Sequence, residues 1–348
     1  LPHTAFKTEQ AWSPLLCERC LPAKSRLLFQ ETDPAPRDGE SPVSATEKSA
    51  KAWTREDLEF LSQGTRCAGW LYRPTGHANP PVVVMAHGFA AERTFGLPAF
   101  AERFASRGMA VFAFDYRNFG ASDGMPRNLV NPSRHLQDWE AAVSFVRSIP
   151  GVASDRIALW GSSFSGGHVI VTAARHPRIT AIVAQIPFVD GVATIRNLGL
   201  GYFLRAVAAG ARDLARMVTL RDPYCIPVVS SPDRFAAMNK PDALDGYKAL
   251  IPPDSAWKNE CPARILLAAP LYRPISYAAQ VRCPALLVAA EKDSLIPVES
   301  VARTAARMPA ATLEKLPAGH FDVYVGEWFE RVVRLESDFL ARHLLGAS

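Results

Sequence analysis

From residue 68 onward, short apolar runs alternate with segments of helical spacing, and this rhythm restricts the possible fold more than any other feature. The runs 68–73, 81–86, 110–114, 157–160, 181–186, 285–290 and 312–316 read as strands. Residues 97–107, 132–149, 298–308 and 325–345, and a segment that follows a Gly/Ser-rich turn and ends at about 175, read as helices, as in Leu136, Trp139, Val143 and Val146. Gly108 and Pro150-Gly151 stop two of them. Apolar runs without strict alternation suit strands covered on both faces. Strands separated by helices predict a mostly parallel, doubly wound α/β sheet.

The rhythm breaks between about 190 and 276. Residues 193–217 are strongly helical in composition, and a Pro-punctuated stretch with a further helix follows. An insertion there reads as a helical cap (190–276) on a core made of 53–189 and 277–348. Residues 1–52, rich in Pro, Ser, Lys and Glu, read as an N-terminal extension.

Composition removes several function classes. Of the 348 residues, 48% are hydrophobic and 21% charged, which suits a globular chain and not a disordered one. The net charge of +5 is spread without a basic block, so no nucleic-acid partner is expected. No apolar run reaches the roughly 20 residues of a membrane span. Cysteines 17, 20, 67, 225, 261 and 283 imply no disulfide framework. Cys17-Glu-Arg-Cys20 has the spacing of half a zinc ribbon, but His3 is the only histidine near it, and four ligands are needed. With no phosphate loop, dinucleotide fingerprint or metal cluster, no cofactor and no metal are expected. A first residue of Leu1 leaves open whether a leader was removed; no signal-peptide core is visible, and the cytoplasm is the default compartment. Oligomeric state is left open.

The chemistry concentrates in a Gly/Ser turn between a strand and a helix, Gly161-Ser162-Ser163-Phe164-Ser165-Gly166-Gly167-His168. A nucleophile elbow bends so sharply that the residues two before and two after its nucleophile must be small. Ser163 has Gly161 and Ser165 at those offsets. Ser165, with Ser163 and Gly167, is the rival register. A nucleophilic serine needs a base, an acid that orients it and an oxyanion hole. His320, after the last strand, is the candidate base; His168 lies in the elbow helix and His87 in a turn. Asp293, in the turn after strand 285–290, is the candidate acid, with Asp190 and Glu291 as alternatives. The turn His87-Gly88-Phe89 after a buried strand would supply the Phe89 N–H as one oxyanion donor, and Phe164 N–H the other.

Together HGF (87–89), DYRNFGASDG (115–124), GSSFSGGH (161–168), EKDSLIP (291–297) and AGHFD (318–322) resemble the α/β-hydrolase superfamily over about residues 65–345. The resemblance implies an α/β-hydrolase fold and a Ser163–His320–Asp293 triad that cleaves or transfers an acyl group. It assigns Asp115 to a structural loop. GSSFSGGHV and Tyr272-Arg273-Pro274 are similar to dienelactone-hydrolase-like or peptidase-like hydrolases, and to fungal polyketide transferases and thiohydrolases. Hydrolysis of a carboxylic ester or thioester of a small acyl substrate is the leading expectation. Acyl transfer or release from an acyl carrier protein is the alternative, with Arg196, Arg205, Arg212, Arg216 and Arg221 as the basic surface for an acidic carrier. A third reading is an inactive ligand-binding protein on the same fold.

Overall fold

A computed structural model describes residues 52–196 and 199–346. The expected extension, with His3, Cys17 and Cys20, lies outside the described residues but for Ala52.

Eight strands form one sheet: β1 (Trp53–Ser62), β2 (Thr65–Pro74), β3 (Pro81–Ala86), β4 (Ala110–Phe114), β5 (Ala153–Ser162), β6 (Ala181–Gln185), β7 (Ala285–Ala290) and β8 (Ala311–Leu316). Their spatial order is β1-β2-β4-β3-β5-β6-β7-β8. The β1–β2 and β2–β4 pairs are antiparallel and the other neighbours parallel. Successive side chains on a strand point to opposite faces, and both faces are apolar. Val82, Val84, Phe112 and Leu159 pack with Trp139 of α2 (Pro132–Ser148) and Ile170 of α3 (Phe164–Arg175). Val83, Met85, Val111 and Trp160 pack on the other side with Phe100 and Phe104 of α1 (Leu97–Ser106) and with Leu340. The result is the mostly parallel, doubly wound α/β sheet that the rhythm predicted.

Between β6 and β7 the chain forms α4 (Gly191–Ile195), α5 (Leu200–Val218), α6 (Ala243–Lys248) and α7 (Ile265–Ala268). Residues Cys225–Ile226 and Cys261–Pro262 pair in a short ladder. The chain closes with α8 (Val298–Ala305) and α9 (Gly326–Leu344). Among the described residues no helix is long and apolar enough to cross a membrane.

Two local differences have physical causes. β1 escapes the search for apolar runs because it is an edge strand, exposed along most of its length and charged at Arg55, Glu56, Asp57 and Glu59, with Phe60 and Ser62 its buried residues. Gln63 and Gly64, both at positive φ (49° and 75°), close its two-residue hairpin with β2. The helix expected over 193–217 is two helices, α4 and α5, and Gly199 stands in an extended conformation at the start of the second.

One core residue carries a pH signature. Glu336 of α9 is fully buried, accepts a hydrogen bond from Trp160 Nε1 at 2.8 Å, and leaves Oε1 without a partner. Burial pushes its carboxyl up to about 8. A folded-state value above the unfolded one means that no penalty exists below about pH 4.5, and that stability declines as pH rises through 8. Gln fits the same space and does not ionise. We therefore expect Glu336→Gln to raise Tm by roughly 5 °C at pH 8 and to leave it unchanged near pH 4.5, as read by thermal melts across pH.

Candidate active site

Ser163 sits between β5 and α3 at φ 55°, ψ −118°, a strained left-handed conformation for a residue with a side chain. Its surroundings enforce that conformation. Ser163 N donates to Gln185 O at 2.9 Å, and Phe188 N donates to Ser163 O at 2.8 Å. A Cβ on Gly161 would stand 2.4 Å from the Ser165 carbonyl oxygen, and one on Gly167 would stand 2.2 Å from that of Phe188. Only glycine lets the turn close this tightly. Ser165, the rival nucleophile, is buried with its Oγ 2.8 Å from Tyr116 Oη, which itself accepts from Trp139 Nε1 at 2.9 Å. It is tied down on the side away from the histidine. Of the two serines, Ser163 is the one within hydrogen-bond distance of a histidine.

His320 Nε2 lies 3.1 Å from Ser163 Oγ, and His320 Nδ1 lies 2.7 Å from Asp293 Oδ2. The carboxylate accepts from Nδ1–H, which leaves Nε2 free to accept the serine proton. Both side chains are 3% exposed. The loop after β7 orients the acid: Leu295 N and Ile296 N each donate to Asp293 Oδ1 at 2.8 Å. Asp190 does not join this group. It caps α4 through Val192 N and pairs with Arg273 at 2.9 Å. Burial, the largest single influence, disfavours its charge, but the hydrogen bond and charge of Arg273 together with the backbone N–H donors of α4 outweigh it and hold the carboxyl below its ordinary value. Glu291 is exposed.

The His87-Gly88-Phe89 turn rests directly on the serine. A Cβ on Gly88 would be 3.2 Å from Ser163 Cβ, so glycine permits the close approach. Phe164 is the first residue of α3, and its N–H has no acceptor within the helix. His87 is buried at 3.9 Å from Asp115, and burial pulls it down to about 4, so it is neutral. Asp115 accepts from Arg93 N at 2.7 Å and Ala121 N at 3.1 Å, pinning its loop.

Sequence reasoning missed the residues that brace the site. Tyr247 Oη donates to the Phe89 carbonyl at 2.9 Å, and Trp257 Nε1 donates to the Ala90 carbonyl at 2.8 Å. Both come from the segment between β6 and β7 and fix the turn that carries Phe89. Beneath the elbow, Ser162 Oγ lies 2.5 Å from Tyr324 Oη and accepts from Gln185 Nε2 at 3.0 Å. His168 faces the other way, 3.2 Å from His135 and 2.6 Å from Tyr272 Oη. Burial lowers His168 to about 3, so it stays neutral.

A cavity of about 240 Å³ opens onto Ser163 and His320. Phe188, Ile195, Phe203, Val207, Ile265 and Leu266 make much of its wall, most of them from the inserted segment. A second cavity, of about 30 Å³, reaches the same two residues from the side of Gly88, Phe95, Tyr247 and Tyr324. It has room for a water or a small group.

The family model described as serine aminopeptidase S33 matches residues 78–319. Quorum-quenching protein AidA of Acinetobacter baumannii is 38% identical over 286 residues, 82% of this chain and 94% of that one. Thiohydrolase aneE of Aspergillus aculeatus is 41% identical over 145 residues, 41% of this chain and 44% of that one. The crystal structure of the alpha/beta hydrolase GrgF from Penicillium sp. sh18 superposes with a TM-score of 0.71 at 25% identity, covering 84% of this chain and 99% of that one.

Proposed function

As a member of the serine aminopeptidase S33 family, this chain is an α/β-hydrolase, and we propose that it cleaves carboxylic esters or thioesters through an acyl-Ser163 intermediate. The observation that carries the reading is the continuous hydrogen-bonded line from Ser163 through His320 to Asp293, opening onto an apolar cavity. Ser163 Oγ attacks the acyl carbon as its proton passes to His320 Nε2. Asp293 holds the imidazole in its tautomer and stabilises the imidazolium. The Phe89 and Phe164 N–H groups face the oxyanion. The tetrahedral intermediate expels alkoxide or thiolate, which takes the proton from His320, and water then repeats the sequence to release the acid.

The 190–276 segment acts in this reading as the cap that shapes the acyl pocket. At about 240 Å³ the pocket is smaller than the roughly 300–1,000 Å³ of drug-sized sites, which suits a medium acyl chain or one aryl group. The small second cavity favours water as acceptor over a bulky alcohol or amine. A thioester borne by an acyl carrier protein is a donor within the same reading, in line with the name of the thiohydrolase relative.

Hydrolysis of a p-nitrophenyl ester series tests this. Each methylene that enters the pocket is worth about 0.8 kcal/mol, or roughly fourfold. We expect kcat/KM to climb at about that rate from acetate to hexanoate and to fall for palmitate. Rates independent of chain length would remove the cavity as the acyl site, and absence of turnover on esters and thioesters alike would remove the activity.

A further inference from the structure

Helix α5 carries an apolar seam that stands exposed among the described residues. Leu200, Leu204, Val207, Leu214 and Val218 are 73%, 58%, 40%, 43% and 73% exposed, and Ala211 between them is also exposed. The six positions follow one another at intervals of four, three, four, three and four residues, the spacing with which one helix presents a seam to another. The opposite side of α5 is what anchors it. Ala206, Ala209, Gly210 and Asp213 are buried, and Asp213 accepts from Arg264 Nε at 2.6 Å and Tyr224 N at 2.8 Å. A surface helix ordinarily turns polar residues outward on that side, and an exposed apolar stripe of this length marks an interaction site.

We infer that α5 is a homodimer interface, in which its exposed seam pairs antiparallel with that of α5 in a second copy, about a two-fold axis that passes the seam at the height of residue 209. The seam reads the same in both directions about that point. Leu200 then meets Val218 of the second copy, Leu204 meets its Leu214, and Val207 meets its Ala211. An interface of this kind must be self-complementary, and this one pairs large with large at its ends and large with small at its centre. At 100° per residue, Arg205, Arg212 and Arg216 leave the helix well off the seam, so the two-fold does not force them together. They sit on one flank only, and an anionic bilayer would not require the palindromic register. Val207 belongs to the seam and to the cavity wall. On the reading of that cavity as the acyl site, the second copy's Ala211 would back the pocket.

The test uses the full chain and does not depend on activity. Sedimentation analysis at micromolar concentration should give a dimer for the wild type. The double variant Leu204→Glu/Leu214→Glu should lose the dimer and keep an unchanged circular-dichroism spectrum. Ala208→Cys places thiols about 3 Å apart along the paired axes, and Leu200→Cys about 27 Å apart, from the 1.5 Å rise per residue. A short bismaleimide should therefore cross-link the first variant above the wild-type background and not the second. A wild type that stays monomeric, whether or not it pellets with phosphatidylglycerol vesicles, overturns the inference. So does a dimer that survives the double substitution, and equal cross-linking at 200 and 208 overturns the antiparallel register.

Discussion

Ser163→Ala is expected to lower kcat/KM by about a millionfold and to abolish labelling by a fluorophosphonate, as for other serines that act as a unit with a histidine. No neighbouring hydroxyl can take its place. Ser165 is buried against Tyr116, and Ser162 is bound to Tyr324 and Gln185, both on lines that do not reach His320. Ser165→Ala should keep the label on Ser163, because it loses only one hydrogen bond beneath the elbow. Peptide mass spectrometry of the labelled wild type and the two variants reads the result directly. An adduct on Ser165, or a label that persists in Ser163→Ala, would contradict the assignment of the nucleophile.

Asp293→Asn should cost about four orders of magnitude in kcat with little change in fold. The local geometry gives the reason. Leu295 N and Ile296 N both donate to Oδ1, so the asparagine carbonyl oxygen must occupy that position to keep them paired. Its amide NH₂ then faces His320 Nδ1 and donates to it. The imidazole proton moves to Nε2, where it opposes the Ser163 hydroxyl and can accept nothing from it. Steady-state kinetics beside a thermal melt separates this from unfolding. Wild-type turnover in Asp293→Asn would break the proposed link between acid and base, and a matching loss in Asp190→Asn would shift attention to α4. The bond between Asp190 and Arg273 argues against that second outcome.

What could be read from the sequence depended on range. The elbow is a local object: Gly161 and Ser165 on either side of Ser163 signal a steric problem that only small residues solve, and the structure shows that problem at Gly161, where a Cβ would stand 2.4 Å from the Ser165 carbonyl oxygen. The core strands were legible because burial on both faces leaves uninterrupted apolar runs. Asp293 and His320 were legible because each follows a strand at the carboxyl edge of the sheet, where side chains converge. β1 was not, since an edge strand guarded by charge lacks that signal. Neither were Tyr247 and Trp257, which reach carbonyls 158 and 167 positions earlier in the chain. A single tyrosine or tryptophan in a loop does not announce a partner at that separation. Ser165 was ambiguous for a related reason: its partner, Tyr116, comes from the loop after β4, and only the folded arrangement shows that the hydroxyl is already engaged.

The bonds from Tyr247 and Trp257 also limit how this molecule can be loaded. Both donors belong to the segment that supplies most of the pocket wall, and both hold the turn that rests against Ser163. If that wall swung away as one rigid piece, it would pull the two latches off the turn in the same stroke. Open access and readiness to react are then mutually exclusive along that path. The cavity already opens onto Ser163 and His320 with both latches seated, so in this arrangement the path to the serine does not require either bond to break.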